Sequence, residues 1–296
     1  MHFSIIMPFI TLHGEPGNRL GDHIVSYLNQ IFYAYKNQYE IRYHRNEFPF
    51  LASPFIQIML RFVDQYNTRL RESGNDSGEE VFPQANLDWS KAMYKTLESI
   101  RADFVSFWRE IYPEVCSDCF TQLSPPFSIP FDPKKTITVH LRLDDVHDWL
   151  DYNGTASANY YRDLIQRDAS IDEMSHVHAY GTYQNIQSPI PMDRIEMQIQ
   201  DAKQRYPDHE VVIISSPKTR DLIQSPYRVI CNDDESHDLF LLCVSDVVIL
   251  SRSTFAICSL IFGNHSRVYA PLWGQFTYYG FYTKYHRDSE HFSYFW

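Results

Sequence analysis

The chain has 296 residues, 44% of them apolar, with 21 Tyr and 20 Phe and a formal net charge of −11. That length accommodates one large or two medium domains with ample buried core. The acidic balance and the lack of a basic stripe argue against nucleic acid as a partner, so any anionic ligand must be met by local Arg or Lys.

The N-terminus, Met1 to Pro8, has no basic region, and its apolar run is too short for a signal peptide or membrane anchor. A soluble, cytoplasmic chain without a membrane span is the expectation, with the sequons at Asn75, Asn153 and Asn264 carrying no sugar. Phe3 to Leu12 reads as a strand. It runs into a glycine-rich turn, Gly14-Glu15-Pro16-Gly17-Asn18-Arg19-Leu20-Gly21-Asp22-His23. From Ile24 to Tyr35 the apolar residues recur at helical spacing, and Ile41 to Tyr43 suits a second strand. Strand, glycine turn, helix and strand together open an α/β domain.

Helical patterns follow over 53–71 and 90–111, separated by a polar stretch, 73–80, whose composition predicts a loop. The proline-rich segment 124–133 is the best linker in the chain and sets the expected domain boundary at residue 131. Thr136 to Asp145 then begins as β-branched alternation and ends in His140, Arg142, Asp144 and Asp145, with His147 and Asp148 close behind. Beyond an irregular stretch, helices are expected over 192–206, 217–224, 237–245 and 253–262. Strands are expected over 210–216, 227–231, 246–250 and 267–270. Short alternation of this kind predicts a doubly wound parallel sheet. The expected division is 1–131, 132–275 and a tail, 276–296, packing back across the two domains.

Five cysteines, Cys116, Cys119, Cys231, Cys243 and Cys258, make no disulfide framework. Cys116 and Cys119 form one C-x-x-C without a second pair at zinc spacing, so coincidence or a local bridge explains them best.

Three polar clusters sit at element ends. The glycine turn lets backbone approach a ligand closely ahead of a helix N-terminus, or is simply a structural turn. In the 136–145 stretch, Arg142 offers a rigid fork of donors to a phosphate and His140 can orient a base; the plainer alternative is a surface turn whose charges pair with one another. In the third, Asp238 opens a helical segment that leads through the strand 246–250 to Ser251-Arg252-Ser253-Thr254-Phe255. Ser253 and Thr254 either cap the next helix or help its backbone N–H groups hold a diphosphate.

Taken together, the three clusters resemble fucosyltransferases. Gly14 to His23 looks like the G-x-x-G-N loop of the protein O-fucosyltransferases and the bacterial α1,2-fucosyltransferases, and His140-Leu141-Arg142 looks like their H-x-R motif. Asp238 to Leu242 with Asp246 and Ser253 to Phe255 is similar to their third motif in order and spacing. The resemblance implies a GT-B architecture: two Rossmann-like domains with the donor in the intervening cleft, and inverting transfer without a metal or other cofactor. It implies that Arg142 clamps the β-phosphate and that His140 and Asp238 hold the nucleobase. Ser251, Ser253, Thr254 and Phe255 would line the phosphate and sugar site, and Gly17 and Asn18 would bring contacts from the first domain.

The partners implied are a nucleotide sugar, GDP-fucose first, and a glycan acceptor for which Trp89, Trp149, Trp273 and the tyrosine-rich tail offer stacking faces. A fixed guanidinium plus helix N–H groups stabilise a departing diphosphate without a cation, and the chain has no D-x-D triplet. Inversion calls for a base on the acceptor hydroxyl, for which Glu15 and Asp22 are the candidates. His23, Asp144, Asp145 and Asp148 are secondary site candidates. Two departures stand out: Leu143-Asp144-Asp145 replaces the Arg-Gly-Asp of the bacterial enzymes, and Glu15-Pro16 lengthens the glycine loop. The first keeps a uridine donor such as UDP-xylose as an alternative on the same scaffold. A non-catalytic carbohydrate-binding protein is the alternative of another class. A hydrolase using Asp144 and Asp145 as an acid/base pair is disfavoured, because adjacent strand residues face opposite ways.

Overall fold

Among the described residues two all-parallel sheets are formed, each built from strands alternating with helices. The computed structural model describes residues 5–13, 19–44, 49–72, 75–80, 127–144, 189–271 and 290–295, and divides into two units, Met1–Ser124 and Pro125–Trp296. The expected helix over 90–111, the C-x-x-C pair and Trp89, Trp149 and Trp273 lie outside the described residues.

In the first unit, strand β1 (Ile5–Thr11), helix α1 (Leu20–Asn37) and strand β2 (Glu40–Arg42) make a βαβ unit, with Ile10 opposite Ile41. Helix α1 forms because Leu20, Ile24, Tyr27, Leu28 and Ile31 recur on one face, and all five are buried. It starts at Leu20, a turn earlier than the periodicity predicts, which puts Asp22 and His23 in the helix. It ends where Gln38 turns left-handed (φ 56°) and its N–H reaches the Tyr35 carbonyl at 3.2 Å. Helix α2 (Pro54–Glu72) buries Phe55, Ile56, Met59, Phe62 and Val63 in the same manner.

The polar stretch after α2 departs from expectation. Asn75–Glu80 is not a loop but strand β3, parallel to β1, with Ile5 opposite Asn75 and a register shift before Phe9 meets Glu80. Ladder hydrogen bonds use only main-chain groups, so pairing with β1 outweighs the local turn composition. The sheet order is therefore β2-β1-β3. On β2, the Asn67 side chain accepts from the Ile41 N–H at 3.0 Å and donates to the Ile41 carbonyl at 2.6 Å, substituting for a neighbouring strand.

The second unit opens with a one-turn 3-10 segment, Pro133–Lys135, whose Asp132 side chain accepts from the Lys134 N–H. The strands and helices that follow are β4 (Thr136–Leu141), α3 (Met192–Arg205), β5 (Glu210–Ser215), β6 (Arg228–Ile230), α4 (Glu235–Val244), β7 (Val247–Ile249), α5 (Thr254–Phe262), β8 (Arg267–Pro271) and β9 (Phe292–Phe295). The expected helix after β5 is a 3-10 turn, Pro217–Leu222. The described end of the chain is an edge strand, β9, paired in parallel with β8, where the sequence predicts only a packing tail.

The sheet order is β6-β5-β4-β7-β8-β9. Counted from β4 this is 3-2-1-4-5-6, the doubly wound order of the Rossmann topology, with its switch point between β4 and β7. Strand alternation sends Ile137, Val139 and Leu141 to one face, where they form a core with Ile195, Ile199 and Ala202 of α3. Thr138 and His140 point to the other face. There Thr138 bonds Ser245 at the end of α4, and His140 meets Phe255 in the first turn of α5. Helices thus cover both faces, as a parallel sheet requires. After α5 only a glycine fits: a Cβ on Gly263 would come 2.4 Å from both the His265 ring and the Ser259 carbonyl. Among the described residues no helix is long and apolar enough to cross a membrane.

Candidate functional site

In an open parallel sheet, the chain leaves adjacent strands in opposite directions at the switch point and opens a crevice at their C-terminal ends. Here those ends are His140-Leu141-Arg142 at the end of β4 and Leu250-Ser251-Arg252-Ser253 after β7. Two of the predicted clusters, far apart in sequence, are joined by hydrogen bonds across this gap. Ser251 Oγ lies 2.7 Å from His140 Nδ1, and Arg142 Nη1 donates to the Arg252 carbonyl at 3.1 Å. The neighbouring strand is tied in as well, since Ser215 Oγ donates to the Leu141 carbonyl at 2.8 Å.

His140 is buried, its ring tilted against Phe255 at 5.4 Å between centroids. Burial first, and then the charge of Arg142, push its imidazole down to about 3, so the ring is neutral at physiological pH. Arg142 itself is half-buried, with its Nη1 held by the Arg252 carbonyl. Ser253 occupies the N-cap position of α5 in extended geometry, yet its side chain makes no capping bond. Ser251, Arg252 and Ser253 are all buried, while Thr254 and Phe255 are half-buried.

Asp238 lies in the first turn of α4, beyond the end of β6. In the sheet order one strand, β5, lies between β6 and β4. Its carboxylate accepts from Asn232 Nδ2 at 2.6 Å. Burial raises it to about 7; the Asn232 bonds pull the other way, and Asp234 and Glu235 add to the rise. A carboxyl poised near neutrality at the C-terminal edge of a parallel sheet marks a functional candidate.

On the α3 face, a cavity of about 210 Å³ opens beside Arg142 and Ser251 and is walled largely by apolar side chains.

In the first unit, Asp22 is half-buried in the first turn of α1, where the helix dipole favours a carboxylate. His23 is buried, with its ring against Tyr27 and Phe50. The main chain entering the glycine loop is fixed by Gln30, whose side chain accepts from the His13 N–H at 3.0 Å and donates to its carbonyl at 2.9 Å. Glu15, Gly17 and Asn18 lie outside the described residues, as do Asp145 and Asp148. Asp144 is half-buried, two positions after Arg142.

Sequence reasoning missed Arg252, whose carbonyl orients Arg142, and Asn232, which holds Asp238. The first sits inside the Ser-Arg-Ser triplet already singled out, and the second stands at a strand end, so position alone pointed to both. No protein-family model matches the chain, and no curated protein matches it.

Proposed function

We propose that the protein is an inverting glycosyltransferase that moves a sugar, L-fucose from GDP-fucose first, onto a hydroxyl of a glycan without a metal cofactor. The observation that carries this reading is the pair of hydrogen bonds bringing His140-x-Arg142 and Ser251 to Ser253 to one switch point, at the N-terminus of α5. Such a constellation suits a diphosphate, with a forked guanidinium on one side and helix N–H groups on the other.

In the reaction, the acceptor oxygen attacks the anomeric carbon from the face opposite the diphosphate. The bond from that carbon to the phosphate oxygen breaks, and its electron pair remains on the nucleoside diphosphate. Negative charge grows on the leaving group where Arg142 and the α5 N–H groups stand. Stabilisation there acts more on the transition state than on the ground state. The acceptor proton passes to a carboxylate, for which Glu15 and Asp22 are the proposed bases. The neutral His140 serves as an oriented hydrogen-bonding group, not as a second cation.

Thermal-shift and calorimetric titration with GDP, UDP and their sugar conjugates, with and without EDTA, tests this reading. GDP and GDP-fucose should stabilise the protein, EDTA should have no effect, and GDP should be released in the presence of acceptor glycan. Preferential binding of UDP would transfer the assignment to a uridine donor. A chain that binds sugars but releases no nucleotide diphosphate would be a lectin. Binding that disappears with EDTA would contradict metal-free transfer.

A further inference from the structure

The cavity on the α3 face adjoins the proposed diphosphate site, and two residues, Arg142 and Ser251, contribute to both. At about 210 Å³ it is smaller than the roughly 300–1,000 Å³ pockets that enclose a whole drug-sized ligand, so it suits one ring system of a larger molecule. Its walls include Leu143, Ile190, Ile195 and Ile223, and Gln224 stands exposed in its lining. A hexose or pentose is poorly matched to such walls, because its hydroxyls would lose water without gaining partners. A nucleobase matches them: two apolar faces, with polar atoms confined to the edge.

Resting on the nucleotide-sugar reading above, we infer that this cavity holds the nucleobase of the donor, with Gln224 meeting the base edge and Arg142 bridging from base pocket to diphosphate. This placement differs from the one implied by the resemblance, in which His140 and Asp238 hold the base. His140 belongs to the opposite face of the sheet, buried against Phe255 with its Nδ1 against Ser251. Asp238 lies in the first turn of α4 with its carboxylate bonded to Asn232. Among the described residues, the α3 face combines a ring-sized apolar space with direct continuity to Arg142. The Gln224 amide presents a donor beside an acceptor, which is the pattern a base edge complements. That side chain therefore supplies affinity for a base, while other groups around the cavity choose among bases.

The test compares GDP, UDP and inorganic pyrophosphate by titration calorimetry on the full chain, using wild type, Gln224→Leu, Ile223→Trp and Asp238→Asn. Gln224→Leu removes the amide at similar volume, and Ile223→Trp fills the cavity. Each should weaken the preferred nucleoside diphosphate about tenfold or more while leaving pyrophosphate unchanged. Asp238→Asn is the comparison, reporting on a base held on the other face of the sheet. Loss of nucleotide binding in Asp238→Asn but not in the two cavity variants would place the base on the other face and overturn the inference. Equal affinity of wild type for pyrophosphate and for every nucleotide would overturn it too, while leaving the diphosphate site standing. If wild type bound neither nucleotide nor pyrophosphate, the glycosyltransferase reading itself would fall, and this inference with it.

Discussion

Glu40 in the first unit and Asp238 in the second are both buried carboxylates near strands of parallel sheets, and their surroundings treat them in opposite ways. Burial pushes the Glu40 carboxyl up, but hydrogen bonds from Arg71 and Arg42 outweigh it and hold the group below the ordinary carboxylate range. Arg42 lies 3.0 Å away on one oxygen and Arg71 bonds the other, while the Arg42 guanidinium also stacks 3.4 Å above the Phe9 ring. Asp238 has an amide for a partner, and burial wins, taking it to about 7. A buried carboxylate with its countercharges in place is part of the scaffold. One left with a neutral partner keeps its proton up to about neutral pH. The second unit repeats the pattern with His140, a buried base kept neutral beside the crevice.

The strongest way to sharpen the contrast is to remove one polar side chain from each unit. Arg142→Ala should lower kcat/KM by about 10²–10³-fold, the scale of a lost transition-state donor, with thermal stability close to wild type. Circular dichroism and initial rates on the same preparation check both halves. In the first unit the loss should appear as stability instead. Asn67→Ala strips both partners from Ile41 and should cost roughly 1–3 kcal/mol in urea unfolding, with no effect on nucleotide affinity.

The next effect is in pH dependence. The His140 folded pKa, about 3, lies below its unfolded value of 6.5, so between those limits the unfolded chain binds the extra proton and stability rises with pH. Asp238 runs the other way. Its folded value of about 7 lies above its unfolded 3.8, so over that range the folded chain holds the extra proton and stability falls as pH rises. Where the two windows overlap, from about 4 to 6.5, their slopes oppose one another at about 1.4 kcal/mol per pH unit each. Wild type should therefore show little net slope from these groups. Asp238→Asn should expose the rising slope of His140 in urea titrations across that interval. An unchanged profile in that variant would mean that Asp238 is ionised like an ordinary carboxylate. Glu40 contributes stability above its unfolded pKa that disappears as pH falls through its lower folded value, and Glu40→Gln should remove only that acid limb. The smallest effect is Asp238→Asn at pH 8, which should be neutral or slightly stabilising because it removes a carboxylate that burial disfavours.

The same contrast marks what local sequence conveys. Strands β4, β5 and β7 consist mostly of Ile, Val and Thr, and their character follows from residues they carry themselves. Strand β3, Asn-Asp-Ser-Gly-Glu-Glu, carries turn composition and becomes a strand only through β1, a partner far away in the chain. His140, Arg142 and Ser251 to Ser253 stood out as polar groups at strand ends, but their meeting depends on β4 and β7 being neighbours. No periodicity within either segment encodes that pairing. The cavity is further removed still, since Leu143, Ile195 and Ile223 converge only once α3 and β5 have packed on β4.

The most direct test of the central claim is calorimetric titration of GDP into wild type and into Arg142→Ala at low salt. The account predicts saturable binding to wild type that weakens at least tenfold in the variant, with the variant still folded. Identical affinity in the two proteins would contradict it, because the guanidinium at the switch point would then not be holding the diphosphate.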